Sequence, residues 1–174
     1  MDILKDYLPE AKGYLPYYML VTSILAVGNC IQNYSTLHYT RRLYHGKFVP
    51  NPSLPPKSNT FDPEDSRLKL VPASAATNPK GARAQDQVTP LAARLSGTYT
   101  LISAIVRIYA SYYLHVAPVY HITVCTYVVA LFHFGTEFAV YKTAPFGLPV
   151  FLPFLFATLG ITWMTTQYGF YVQV

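Results

Sequence analysis

The sequence has few charges and few cysteines. Charged residues make up 12% of its 174 positions, whereas a soluble domain carries about 25%. So few charges cannot cover a surface that faces water, and their scarcity argues against a soluble domain. The two cysteines, Cys30 and Cys125, lie inside apolar stretches and belong to no CxxC or other metal spacing. We expect both to be buried free thiols outside any disulfide framework.

Several sequence motifs of enzymes are also missing. There is no GxGxxG for a dinucleotide, no GxxxxGK[ST] for a nucleotide phosphate and no GxSxG nucleophile elbow. The five histidines form no HxxH, HxxxH or HxxHH spacing, which argues against a diiron oxygenase. We therefore expect no catalytic residues, no cofactor and no metal site.

What the sequence does have is long apolar stretches. Hydrophobic residues make up 52% of the chain, and four stretches of 19–23 residues stand out: 17–39, 95–114, 119–141 and 148–166. About 20 helical residues cross the ~30 Å hydrocarbon layer. A soluble bundle would need polar helix faces, and these stretches have almost none. The pattern predicts an all-α membrane protein with four transmembrane helices, and the first stretch should remain as an anchor, since the polar residues before it are not typical of a signal peptide.

The connection between the first two predicted helices differs from the others. It holds eight of the fourteen prolines and few aromatics. We interpret residues 1–174 as one four-helix membrane domain, in which residues 48–92 form an inserted, Pro-rich, disordered cytosolic loop.

Positive charges indicate the orientation. Nine Lys or Arg residues lie between Thr40 and Arg94, against Lys5 and Lys12 in the N-terminal segment. Positive residues stay on the cytosolic side of a membrane. The long loop is therefore expected in the cytosol and both termini in the lumen. Because these charges recur on no amphipathic face, the net charge of +5 reports topology, and we expect no nucleic acid partner.

Polar residues at membrane depth are candidates for function. We expect them to pack helices together or to contact partner proteins, and self-association would use the same groups. The candidates are Asn29, Gln32, Arg94, Arg107, His121, His133 and Glu137.

The depth of these residues predicts which of them meet. In a hairpin centred near residue 116, Arg107 lies near mid-membrane and level with residues 125–127, so it needs a hydroxyl, a carbonyl, a lipid or a partner as its acceptor. Glu137 is level with residues 94–97 and is expected to meet Arg94. His133 and Glu137, four residues apart, share one helix face. They are a proton-transfer pair, half of a metal site or, as we favour, groups that join helices through a packing hydrogen bond.

Four segments resemble the ergosterol biosynthetic protein 28 family of fungi and animals. They are GYLPYYMLVTSILAVGNCIQNY (13–34), RRLYHGK (41–47), ARLSGTYTLISAIVRIYASYYLH (93–115) and VYHITVCTYVVALFHFGTEFAVYKTA (119–144). Two departures stand out. Residues 48–90 are longer than the family's usual connection, and Leu95-Ser96 replaces the Thr-Phe of the family's usual ARTFG.

The resemblance implies a non-catalytic, multi-pass protein of the endoplasmic reticulum membrane. It implies a tether for the sterol C-4 methyl oxidase, the decarboxylating C-3 dehydrogenase and the 3-keto reductase, with a sterol C-24 methyltransferase also linked. Two alternatives remain open. One is a small sterol isomerase that uses His133 and Glu137 as acid and base, and the other is a sterol-binding carrier.

Overall fold

The computed structural model describes residues 7–10, 12–50, 68–71 and 85–172. Four long helices dominate these residues: α1 (Leu15–Ser35), α3 (Pro90–Tyr112), α4 (Ala117–Ala139) and α5 (Leu148–Thr166). Two short helices, α2 (His38–Leu43) and α6 (Tyr168–Tyr171), follow α1 and α5. The strands β1 (Lys47–Pro50), β2 (Leu68–Val71) and β3 (Gln85–Asp86) lie between α2 and α3.

Proline fixes where the long helices begin. Each of the four carries a proline at its first or second position, where the missing N–H has no partner to lose and the fixed φ suits the helix. Thr89 also caps α3, because its hydroxyl accepts a hydrogen bond from the backbone N–H of Ala92 at 3.1 Å. The helix starts are therefore local properties of the sequence.

The first predicted span ends earlier than expected. Residues 17–39 were predicted as one helix, but the backbone is extended at Thr36 (φ −145°, ψ 158°), and α2 is a separate helix. The hydroxyl of Thr40 donates a hydrogen bond to Asn33 Oδ1 at 2.8 Å, which holds α2 against the end of α1. The second predicted span is longer than expected, since α3 begins at Pro90 and not at Leu95.

Three of the long helices are confirmed as long and apolar enough to cross a membrane: α1, α4 and α5. The protein is therefore a mostly helical membrane protein. The fourth predicted crossing, α3, does not reach the same apolarity. The physical reason is its composition, since α3 carries Arg94 and Arg107 together with several hydroxyl residues.

The predicted connection between the first two spans contains strands, which the all-α prediction did not include. β1 is the centre of a three-stranded antiparallel sheet, in which Lys47 faces Val71 of β2 and Asp86 of β3. Lys47 Nζ also donates a hydrogen bond to Asp86 Oδ1, and this bond holds the pKa of Asp86 below its usual value. The disorder predicted for residues 51–67 and 72–84 lies outside the described residues.

One partly buried and one buried tyrosine tie the long helices to the backbone of α5. The Tyr18 hydroxyl of α1 donates to the Phe156 carbonyl at 2.6 Å, and the Tyr120 hydroxyl of α4 donates to the Met164 carbonyl at 2.6 Å. Tyr120 is 1% exposed. A buried phenol needs such a partner, so these bonds fix how α5 is positioned against α1 and α4.

We expect Gly160→Ala to destabilise the protein. A Cβ at Gly160 would lie 2.9 Å from the ring of Tyr127, which is fully buried and is held by its contact with Arg107. Overpacking of this kind costs about 1–3 kcal/mol. Gly28→Ala is the matched control, because its Cβ would meet nothing within 4 Å and alanine favours a helix by about 1 kcal/mol over glycine. The melting temperature measured in detergent should fall for Gly160→Ala and not for Gly28→Ala. Equal shifts of the two melting temperatures would contradict this packing.

Candidate functional site

A cavity of about 440 Å³ lies between α1, α3, α4 and α5, with α2 at one end. Much of its wall is apolar, but every helix around it except α5 contributes polar side chains. Its polar lining consists of Thr22, Asn29, Gln32, Tyr39, Tyr44, Ser96, Tyr99, Thr100, Ser103, Arg107, Tyr127 and His133. A polar cavity of this size between helices of a membrane protein is a candidate functional site.

Arg107 lies at the end of the cavity that is farther from α2. Its Nε donates to the Thr126 hydroxyl at 3.0 Å, and its Nη2 donates to the Thr126 carbonyl at 3.2 Å. The guanidinium carbon lies 3.9 Å from the centre of the Tyr127 ring, a cation–π geometry. This confirms that Arg107 is level with residues 125–127 and uses a hydroxyl and a carbonyl as acceptors. Arg107 lies five residues, or about 8 Å, from the end of α3 at Tyr112, and its place near mid-membrane stays a prediction.

Two phenols beside Arg107 have no hydrogen-bond partner among the described residues. They are the hydroxyls of Tyr99 and Tyr127, and both atoms are buried. The hydroxyls of Ser103 and Thr22 are their neighbours, but neither completes a hydrogen bond of acceptable geometry. An unpartnered buried hydroxyl is unfavourable by about 1–3 kcal/mol. Two such groups on one cavity wall indicate a place where a ligand or water would be bound.

The other end of the cavity holds a second polar group. His133 Nε2 lies 2.6 Å from the hydroxyl of Tyr44. Burial raises the pKa of Tyr44, and the charge of Glu137 raises it further. The phenol therefore remains protonated, and the two groups share one hydrogen bond. Asn29 lies at the same end of the cavity. Its Oδ1 accepts a hydrogen bond from Asn33 Nδ2 at 3.0 Å, and Asn33 is itself bonded to Thr40 of α2.

Glu137 and Arg94 are not brought together as predicted. Glu137 Oε2 accepts a hydrogen bond from the Thr143 hydroxyl in the turn after α4. In the described part of the chain the ion pairs are Arg41–Asp86 and Lys47–Asp86, so Arg94 has no acidic partner there. Arg94 is exposed on α3, and neither it nor Glu137 lines the cavity.

His121 lies apart from the cavity. Its ring stacks on Tyr168 with an interplanar angle of 2°, and its Nε2 is 3.1 Å from the Tyr168 hydroxyl. Of the seven predicted residues, four line the cavity (Asn29, Gln32, Arg107 and His133) and three do not. Their role as packing or partner-contact groups stays a prediction.

The sequence carries a signal for the α3 wall in the spacing of its polar residues. Ser96, Tyr99, Thr100, Ser103 and Arg107 recur at spacings of three and four residues, which places them on one helix face. A polar stripe in a span of this length is a readable sign of a lined cavity. No comparable signal marks Tyr127, because its place in the wall depends on how α4 is turned toward α3.

A second concave surface lies on the opposite side of the α3–α4 pair. This α3–α4 groove has a volume of about 430 Å³ and exposed apolar side chains along its edges. It is lined by Leu95, Thr98, Tyr99, Ile102, Ser103, Ile122, Cys125, Thr126 and Val129. Cys125 is exposed there, so the expectation that it is buried was wrong, whereas Cys30 is buried. The helix turns Cys125 outward into the groove and away from the cavity.

The described residues offer no cluster of side chains for a metal ion. No three His, Cys, Asp or Glu side chains among them are close enough together to hold a metal ion.

Comparisons with known proteins give a consistent result. The family model described as "Erg28 like protein" matches residues 15–162. A protein of Gibberella zeae named "Ergosterol biosynthetic protein 28" is 53% identical over 173 residues, covering 99% of both chains. Proteins of the same name from Candida albicans and Saccharomyces cerevisiae are each 30% identical, over 92% and 94% of this chain and 90% and 86% of their own. No solved structure matches the chain.

Proposed function

Because this chain belongs to the ergosterol biosynthetic protein 28 family, we propose that it is a non-catalytic scaffold for sterol C-4 demethylation. Its place in ergosterol biosynthesis follows from the family. The scaffold would tether the C-4 methyl oxidase, the decarboxylating C-3 dehydrogenase and the 3-keto reductase at the endoplasmic reticulum membrane, with the sterol C-24 methyltransferase as a further partner. Holding consecutive enzymes together raises their effective concentration for an intermediate that would otherwise spread through the bilayer.

The observation that carries this proposal is the α3–α4 groove. Membrane helices associate through small and hydroxyl-bearing residues, which allow close approach of the backbones. The groove supplies such residues, among them Thr98, Ser103, Cys125 and Thr126, between apolar edges. We assign the groove to a transmembrane helix of a partner enzyme.

The proposal includes a fourth crossing by α3. Its 23 residues extend for about 34 Å, and it packs along α1, which is itself a confirmed candidate span. Four crossings place both termini on one side of the membrane. The positive residues between α1 and α3 then lie in the cytosol and both termini in the lumen.

The isomerase alternative needs His133 and Glu137 to act together on one substrate. His133 lines the cavity, but Glu137 does not, and its carboxylate is held by Thr143. This arrangement supports the scaffold over the isomerase. The carrier alternative has the cavity in its favour. A carrier releases its cargo, whereas a tether must keep its enzymes bound, so recovery of the enzymes distinguishes the two.

The scaffold is tested by purifying the tagged protein from native membranes and identifying what comes with it. We expect the three C-4 demethylation enzymes to be recovered together, and their absence under mild detergent would contradict the proposal. The same preparation should convert no sterol intermediate once those enzymes are removed.

His133→Ala and Glu137→Gln separate the scaffold from the isomerase. We expect each variant to lower sterol output only as far as it lowers the amount of recovered complex, because neither side chain takes part in a reaction. Recovered enzymes and accumulated 4-methyl sterols would be measured in the same strains. A whole complex together with a complete block of one conversion would overturn the scaffold-only account.

A further inference from the structure

We propose that the cavity between α1, α3, α4 and α5 binds one amphipathic lipid that carries a carboxylate, with the carboxylate at Arg107 and the apolar body extending toward α2. This binding site does not depend on the scaffold function. It is inferred from the charge, the unpartnered donors and the shape of the cavity.

The charge of the cavity is unbalanced. Arg107 is 9% exposed, and a guanidinium stays protonated in proteins. Among the described residues, no Asp or Glu side chain lines the cavity, and Arg107 is the one fixed charge in its wall. Its contacts with Thr126 and the Tyr127 ring are with neutral groups. A buried cation surrounded by neutral groups favours an anionic ligand.

The hydrogen-bond donors without a partner at the Arg107 end of the cavity suit a carboxylate. A guanidinium has five N–H donors, and those of Nη1 make no hydrogen bond with the described residues, since Nε and Nη2 hold Thr126. The hydroxyls of Tyr99 and Tyr127 are also unpartnered, and Tyr127 is 0% exposed. A carboxylate accepts several hydrogen bonds at once and pairs with arginine in a geometry that a single hydroxyl cannot match. A carboxylate has enough acceptor sites for all three groups.

The shape of the cavity suits an elongated apolar body. From Ser96 to Arg107 the wall of α3 extends over eleven residues, or about 16 Å. The remaining lining includes Leu25, Ala130, Phe134, Phe156 and Ala157, which are apolar. A volume of about 440 Å³ falls within the ~300–1,000 Å³ of small-ligand sites. A polycyclic sterol body and an acyl chain both meet this description.

The cavity wall includes exposed side chains of α1 and α5, and we place the entrance for the lipid between these two helices. Leu25 and Leu152 stand on the two sides of this opening and are 57% and 43% exposed. Gly28 lies on the same side, where even a Cβ would meet nothing within 4 Å. A lipid can therefore enter from the membrane without first passing through water.

The test is equilibrium binding to the full-length purified protein in detergent. The probes are a sterol that bears a carboxylic acid, the same sterol with that acid replaced by a hydroxymethyl group, and oleate. We expect one site per chain and affinity for the acid at least about tenfold above that for the hydroxymethyl sterol, the effect of one charge-assisted hydrogen-bonded pair. Oleate shows which apolar body the cavity accepts. If the sterol acid binds and oleate does not, the ligand has a sterol body. If oleate binds, with or without the sterol acid, the ligand has an acyl chain.

Single variants test whether the carboxylate of the ligand binds at Arg107. Arg107→Gln should abolish the preference for the acid, whereas Arg94→Gln, on the exposed face of the same helix, should keep it. If Arg107→Gln does not fold, Tyr99→Phe and Tyr127→Phe provide the second measurement, since each removes one hydroxyl and keeps the ring. Each should weaken binding of the acid by about threefold or more and leave that of the hydroxymethyl sterol less affected. Absence of binding by all three probes, equal affinity for the two sterols, or a preference that survives Arg107→Gln would overturn the proposal.

Discussion

Tyr127→Ala should lower the melting temperature of the detergent-solubilised protein by roughly 10 °C. Tyr127 is fully buried, and its ring lies between Arg107 of α3 and Gly160 of α5. Removing a large buried aromatic side chain costs about 3–5 kcal/mol, and a chain of this size loses about 2–4 °C per kcal/mol. The loss would be larger than for most positions because the variant also deprives Arg107 of its cation–π partner.

Two control variants separate packing from general sensitivity. Tyr127→Phe should retain most of the stability, because the ring remains and its hydroxyl has no partner among the described residues. Tyr109→Ala removes a tyrosine that is 57% exposed on α3, and its shift should be small. If Tyr109→Ala and Tyr127→Ala lowered the melting temperature equally, the central place of Tyr127 in the helix packing would be refuted.

Cys125→Trp should reduce recovery of the sterol enzymes at least about tenfold while the protein remains inserted. Cys125 lies in the α3–α4 groove between Ile122 and Val129 and is exposed. An indole there would occupy the space that the proposed partner helix fills. A loss of about 1.4 kcal/mol already weakens binding tenfold, and a steric block of close helix packing should exceed it.

Two control variants accompany Cys125→Trp: one changes the same position, and the other adds the same side chain elsewhere. Cys125→Ser keeps the small volume and should keep the partners. Leu155→Trp adds the same indole to α5 at a residue that is 42% exposed and outside the groove, so it should also keep them. Full recovery of the enzymes with Cys125→Trp, at equal expression, would show that partners bind elsewhere.

The family and the membrane character were readable from the sequence. The family depends on the order of local segments, which an alignment reads directly, and the family model and the relatives confirm it. Three spans follow from length and apolarity, which are sums over a window and need no knowledge of packing. The start of each long helix is equally local, because a proline in the first turn marks it.

The level of a side chain along the helix axis was also readable from the sequence, and Arg107 and Glu137 show what this level predicts and what it does not. Counting residues from the turn between α3 and α4 placed Arg107 level with residues 125–127, and the hydrogen bonds to Thr126 confirm it. The same count placed Glu137 level with Arg94, yet Glu137 bonds to Thr143 in its own following turn. Equal depth is necessary for a contact between helices but does not establish that two side chains face each other.

What the sequence by itself determined is position along the chain and along the helix axes: the family, the spans, the helix starts and the level of Arg107. What only the tertiary structure decided is rotation about those axes and the choice of neighbours. Each residue turns a helix by 100°, so one helix carries Cys125 on the groove side and Tyr127 on the cavity side. Which of these faces is inside depends on the packing of all the long helices together. For that reason the cavity, its unpartnered tyrosines and the strands of residues far apart in the sequence emerged only from the fold.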